Sequence, residues 1–158
     1  MPVKRIEITS RRRRALDGQN KKTTKNPALK ICELNHVAIH VTNVAASCSF
    51  YQRVLCLQPL PRPAFDFPGA WFRFGVTQEL HLIGERGEKV VSGSRSNHFA
   101  LLVDDIEAWE KHLIKVGAAF QPRKKRPDGA WQIFLADPDG HTIELCTESP
   151  GIVRQALR

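Results

Sequence analysis

Long apolar runs are absent from this 158-residue chain, which argues against a membrane-spanning helix and against the apolar core of a secretory signal. The expectation is a soluble, cytoplasmic protein with one sizeable core. Cysteine is sparse and unpatterned. Cys32, Cys48, Cys56 and Cys146 show no C-x-x-C or zinc-ribbon spacing, so they read as reduced thiols, with Cys32 and Cys146 as small buried hydrophobes. Tyrosine occurs once, at Tyr51, which restricts any chemistry that needs a phenol.

Acidic residues are scarce in one place only. Residues 1–30 hold ten of the 24 Lys and Arg but just Glu7 and Asp17 of the 16 acidic residues, so the net charge of +8 resides there and the rest is balanced at fourteen of each sign. A nucleic-acid-binding domain carries its basic face on the folded domain, whereas this charge sits in a stretch poor in aliphatic residues. Residues 1–31 read as a solvated, disordered tail. An organelle transit peptide is the weaker alternative, because no amphipathic stripe accompanies the arginines. Neither nucleic acid nor membrane is expected as a partner.

What the chain does contain, it contains twice. Leu34-Asn35-His36-Val37-Ala38 returns as Ser96-Asn97-His98-Phe99-Ala100, Gly69-Ala70-Trp71 as Gly129-Ala130-Trp131, and Glu79-Leu80-His81-Leu82 as Thr142-Ile143-Glu144-Leu145, at offsets of 62, 60 and 63 residues. Each copy is too small to bury a core alone, so two modules should pair around an axis. Residues 34–41 alternate as a strand, Thr42-Asn43 caps a helix over about 44–55, the Pro-rich stretch 58–69 is a loop with room for a short edge strand, and 71–74 and 79–83 are two more strands. The second half repeats this with a strand over 98–103, a helix over about 106–116 capped by Asp104-Asp105, and a segment 120–126 leading into 131–135. The turn Asp137-Pro138-Asp139-Gly140 then opens the closing strand, 141–146. The expected class is α+β: two βαβββ modules, about 32–84 and 95–148, forming a cup-like mixed β-sheet with helices outside, followed by a C-terminal tail, 149–158.

Ligand-type residues occupy the equivalent points of the repeat. Four positions along a strand span roughly 13 Å, so His36 and His40 share a face but cannot share one ion. His36 and His98 lie on first strands and His81 and Glu144 on last strands, which can bring donors together laterally. Three imidazoles and a carboxylate suit one divalent ion among Zn²⁺, Ni²⁺, Co²⁺, Mn²⁺ and Fe²⁺. A lone strand histidine is usually structural, but Glu144, between Ile143 and Leu145, needs a partner if it is buried.

These motifs, with Phe50-Tyr51 and the run from Asp137 to Leu145, resemble the vicinal oxygen chelate superfamily over about residues 32–148. That group includes glyoxalase I, fosfomycin-resistance proteins, methylmalonyl-CoA epimerase, extradiol dioxygenases and bleomycin-binding proteins. The resemblance implies His36, His81, His98 and Glu144 as metal ligands, with His81 standing where glyoxalase I commonly has Glu and Glu144 therefore as the catalytic, proton-moving group. It also implies one divalent metal ion, a small-molecule substrate and a homodimer. The leading activity is glyoxalase-like isomerase or lyase chemistry on a thiol adduct of an α-oxoaldehyde, a glutathione adduct among them. The alternatives are a non-catalytic drug-binding or resistance protein and an extradiol-type dioxygenase. Retention of the metal set favours an enzyme, the helical place of Tyr51 disfavours the dioxygenase, and Ala38 replaces a hydroxyl-bearing residue of fosfomycin thiol transferases. Arg62, Arg73, Lys124 and Arg126 could meet a glutathione carboxylate or another anion, while Trp71 and Trp131 read as core packing and Glu79 as a rim carboxylate, with assistance to His81 from two residues away on the same strand face as the alternative.

Overall fold

The computed structural model describes residues 29–91, 93 and 97–151. Most of the expected N-terminal tail, residues 1–28, and the end of the C-terminal one, 152–158, lie outside the described residues. The chain divides into two units, Met1–Cys32 and Glu33–Arg158; residues 29–32 have no regular structure, and the second unit holds every helix and strand described. No described helix is long and apolar enough to cross a membrane.

Module one runs β1 (His36–His40), α1 (Val44–Arg53), β2 (Gln58–Leu60), β3 (Gly69–Phe74) and β4 (Gln78–Ile83). Module two runs β5 (His98–Leu102), α2 (Ile106–Lys115), β6 (Phe120–Lys125), β7 (Trp131–Ala136) and β8 (Thr142–Cys146). Both helices start on side-chain caps: Asn43 accepts from the Ala46 N–H, and Asp105 from those of Glu107 and Ala108. α1 ends earlier than its pattern suggests because the chain turns out of the helix, with Cys56 in the left-handed region at φ 55°. The expected modular α+β fold is present, its strands arranged as two mixed four-stranded sheets in the orders β1-β4-β3-β2 and β5-β8-β7-β6. In each, the first strand lies parallel to the last and forms an edge.

Alternation sends one set of side chains from both sheets into a single core. Ile39, Phe72, Leu80 and Leu82 join Tyr51 of α1, while Ile133, Leu135, Ile143 and Leu145 join Ile106 and Leu113 of α2. The turn before β8 binds the modules to each other. Asp137 Oδ1 accepts from the N–H groups of Asp139 (3.0 Å) and His141 (2.8 Å), shaping a turn whose Gly140 sits at φ 92°, where a side chain would be strained. Its Oδ2 accepts from the buried Tyr51 hydroxyl at 3.0 Å. Asp139 accepts from the Thr42 N–H at 3.0 and 3.1 Å, and His141 Nε2 donates to the His40 carbonyl at 2.7 Å. Cys32 is exposed rather than buried, and Cys146 is only partly buried; the four cysteines are free thiols.

Candidate metal centre

The sheet faces opposite the shared core carry the ligand-type residues. In module one, β1 pairs with β4 so that Ala38 stands across from His81, and β3 pairs with β4 so that Trp71 stands on its other side. In module two, Ala100 and Phe134 flank Glu144 in the same way. The small Ala on one flank leaves room for the long side chain to lean toward the histidine that opens the edge strand. The His36 and His81 rings stack at 4.4 Å between centroids, with Trp71 against the far side of His81 at 4.2 Å. His98 Nε2 reaches Glu144 Oε2 at 3.1 Å, and Phe134 meets the His98 ring edge-on at 5.7 Å.

The structure thus joins His36 to His81 and His98 to Glu144. It does not join the two pairs: among the described residues, no group of three or more His, Cys, Asp or Glu is close enough to hold an ion. Each pair keeps donor atoms free, although the near-parallel His36 and His81 rings would have to open for both lone pairs to meet one ion. Asn35 Oδ1 takes the His36 Nδ1–H at 2.8 Å and Glu79 Oε2 takes the His81 Nε2–H at 2.9 Å, so each ring keeps its other nitrogen as a lone-pair donor. Glu144 is only 4% exposed and its Oε1 has no hydrogen-bond partner. Arg126 Nη1 lies 3.7 Å from that oxygen, within reach of an ion pair but too far for a hydrogen bond. A buried, half-satisfied carboxylate costs more than about 1–3 kcal/mol, and a cation would relieve it. By type, though not by position within one chain, the donors suit a divalent ion.

Two expectations need correction. The repeated Gly-Ala-Trp triplets are not equivalent in the sheets, because Trp71 lies opposite His81 whereas the residue opposite Glu144 is Phe134. Trp71 is therefore a wall of the ligand-bearing face rather than core. Trp131 lies at the head of β7, with Arg123 and Lys125 over its ring at 5.4 and 5.7 Å. Glu79 holds His81 at 2.9 Å, the assisting role that their two-residue spacing on the strand offered, rather than standing free at the rim.

A cavity of about 540 Å³ opens over the second pair, lined by His98, Glu144, Gln121, Lys124, Gln132 and Phe134 among others. Arg126, also at its wall, is tied to Asp128 at 2.8 Å. The Ser149 hydroxyl, then the Ala130 N–H and Arg126, hold the Asp128 carboxyl below its usual range. Tyr51, fully buried in the shared core, does not reach this face.

A sequence profile of the Glyoxalase/Bleomycin resistance protein/Dioxygenase superfamily matches residues 33–145. The chain is 32% identical over 134 residues to Glyoxylase I 4 of Arabidopsis thaliana, covering 80% of this chain and 76% of that one. It is 29% identical over 125 residues to the metallothiol transferase FosB of Bacillus licheniformis, covering 76% and 78%. Among solved structures, a glyoxalase family protein of Bacillus anthracis superposes with a TM-score of 0.66 at 25% identity, over 76% of this chain and 98% of that one. With its duplicated modules, paired donors and profile match in agreement, the chain belongs to the Glyoxalase/Bleomycin resistance protein/Dioxygenase superfamily.

Proposed function

We propose that this protein is a glyoxalase-type enzyme that moves a proton between adjacent carbons of a thiol adduct of an α-oxoaldehyde. His36, His81, His98 and Glu144 would hold one divalent ion at a site completed by a second copy of the chain. The observation that carries this reading is Glu144: buried, with one oxygen engaged by His98 and the other without a hydrogen bond. Each ligand pair is half a coordination set on a face turned away from the common core. A two-fold dimer that set the β1–β4 face of one copy against the β5–β8 face of the other would complete two equal sites.

The ion would supply Lewis acidity to two neighbouring substrate oxygens, lowering the cost of negative charge as carbon loses its proton. His98 fixes the carboxylate of Glu144 through Oε2, and Oε1, buried in the chain alone, would take the proton from one carbon and return it to the next once substrate binding opened it. Phe134 and Trp71 would wall the site once the two faces met. Likeness to Glyoxylase I 4 supports the reading. Likeness to FosB supports a second one, thiol transfer to a small acceptor over the same donors, against which Ala38 offers no hydroxyl.

The test pairs two inactive variants. His36→Ala/His81→Ala disables module one and Glu144→Gln disables module two. Unfolded and refolded together, they should recover about a quarter of wild-type turnover of methylglyoxal plus glutathione with Ni²⁺ or Zn²⁺, since only mixed dimers carry one intact site. A dead mixture beside an active wild type would remove the shared site. A wild type inactive with every divalent ion would remove the glyoxalase reading itself.

A further inference from the structure

We propose that the Cys56 thiol, paired with His112 where the two modules meet, is an alkylation site for small apolar electrophiles of the α,β-unsaturated carbonyl class. Each helix ends on a left-handed residue, where glycine is the usual occupant because a side chain crowds the backbone. α2 follows that rule with Gly117 at φ 66°, the Ala118 N–H reaching back to the Leu113 carbonyl at 3.0 Å. α1 does not. Its left-handed residue, 61 positions earlier, is Cys56 at φ 55°, with the Leu57 N–H closing the turn on the Tyr51 carbonyl at 3.0 Å. Module one thus holds a side chain in a strained conformation where module two has none, and that side chain is an exposed thiol.

The C-terminal ends of the helices clamp each other across the modules. Arg53 donates to the Val116 carbonyl at 2.9 Å, and His112 Nε2 donates to the Val54 carbonyl at 3.1 Å. A carbonyl only accepts, so Nε2 carries the proton. Cys56 Sγ lies 3.6 Å from the same nitrogen. The imidazole therefore presents a donor to a sulfur that has given up its proton, the form in which cysteine attacks carbon.

A cavity of about 320 Å³ opens at Cys56, walled in part by Leu55, Leu57 and Phe74 of module one and by Leu101, Val103 and Trp109 of module two. These side chains belong to the shared core or pack against it, so this wall is apolar and lies on the opposite side of the sheets from the ligand-type pairs. An electrophile with a short apolar tail suits both features. The sulfur would bond to the β-carbon, the C=C π pair would move into an enolate, and the α-carbon would take a proton from water in place of the one the thiol released. No electron acceptor is needed. The other thiols lack this setting: burial pushes the Cys48 thiol up, Cys146 is partly buried, and Cys32 is exposed in a segment without regular structure.

The test treats full-length protein with limiting conjugated hexenal or acrolein, fixes the adducts with borohydride and maps them by peptide mass spectrometry, with the exposed Cys32 as internal reference. Hexenal should mark Cys56 faster than Cys32, by a ratio about tenfold above that seen with acrolein, which lacks the apolar tail. His112→Phe keeps an aromatic ring and removes the N–H, and should bring Cys56 down to the rate of Cys32; a thermal melt checks that it folds. A purely structural role for His112 would instead loosen the clamp and leave labelling of Cys56 undiminished. Cys56→Gly, which suits the left-handed turn, should melt no lower than the wild type and lose this adduct alone. None of these readouts involves a metal, so they stand apart from the shared site proposed above. Equal labelling of Cys56 and Cys32, a ratio unchanged by the tail, or undiminished labelling in folded His112→Phe would overturn the proposal. So would a Cys56→Gly protein melting well below the wild type, which would make the cysteine a packing residue.

Discussion

Tyr51 is the residue whose environment makes the clearest demand. Its ring is fully buried, and its hydroxyl donates to Asp137. Burial first, then the Asp137 charge and hydrogen bond and the Asp139 charge, push the phenol far above its ordinary range. A raised native value means that this contribution to stability is fully present below about pH 10, the ordinary phenol value, and is lost as pH rises above it, because the unfolded chain ionises first. Tyr51 is the sole tyrosine, so tyrosinate absorbance should appear only together with the loss of helical circular dichroism. Ionisation preceding unfolding would contradict the buried hydrogen bond. Tyr51→Phe should cost about 1–3 kcal/mol in chemical denaturation, through the acceptor left on Asp137, without changing metal affinity. Glu144→Gln should show the opposite pattern, with turnover lower by about 10²–10⁴-fold, weaker metal uptake, and a melting temperature that does not fall.

Strands fix what those residues can reach. β3 begins at Gly69, across from Ile83, and a Cβ there would collide with the Leu82 carbonyl oxygen, a backbone atom with nowhere to move. Gly69→Ala should therefore part β3 from β4 and cost about 1–3 kcal/mol in denaturant unfolding, with weakened metal binding because Trp71 would no longer back His81. A variant as stable as the wild type would show that the strand end relaxes freely. The order of elements was legible in the sequence because alternation, the Asn43 and Asp105 caps and the Asp-Pro-Asp-Gly turn are local signals. Registers were not. Trp71 and Trp131 look alike at an offset of 60 residues, yet pairing against the last strand makes Phe134 the counterpart of Trp71. Only Pro122 hinted at the β-bulge of β6 between Gln121 and Lys124, and a proline inside a strand reads equally well as an edge.

At the scale of the whole chain, the repeat foretold two modules and four positions of ligand-type residues, but not that these residues would stand as two separated pairs. The same interface between modules can form within a chain or between copies, and the hydrophobic pattern is identical for both. Charge partition was fully legible. Residues 1–28 carry nine basic and two acidic groups, leaving the rest of the chain one net positive charge, that of Lys30. Attraction to polyanions follows net charge and its clustering, and it weakens with salt. A chain beginning at Leu29 should therefore leave a heparin column at much lower salt than the full-length protein. It should also melt within about two degrees of it, since a terminal segment poor in aliphatic residues has little apolar surface to offer a core. Unchanged retention would reveal a basic face on the two-module body, and a fall of many degrees would show that residues 1–28 pack against it.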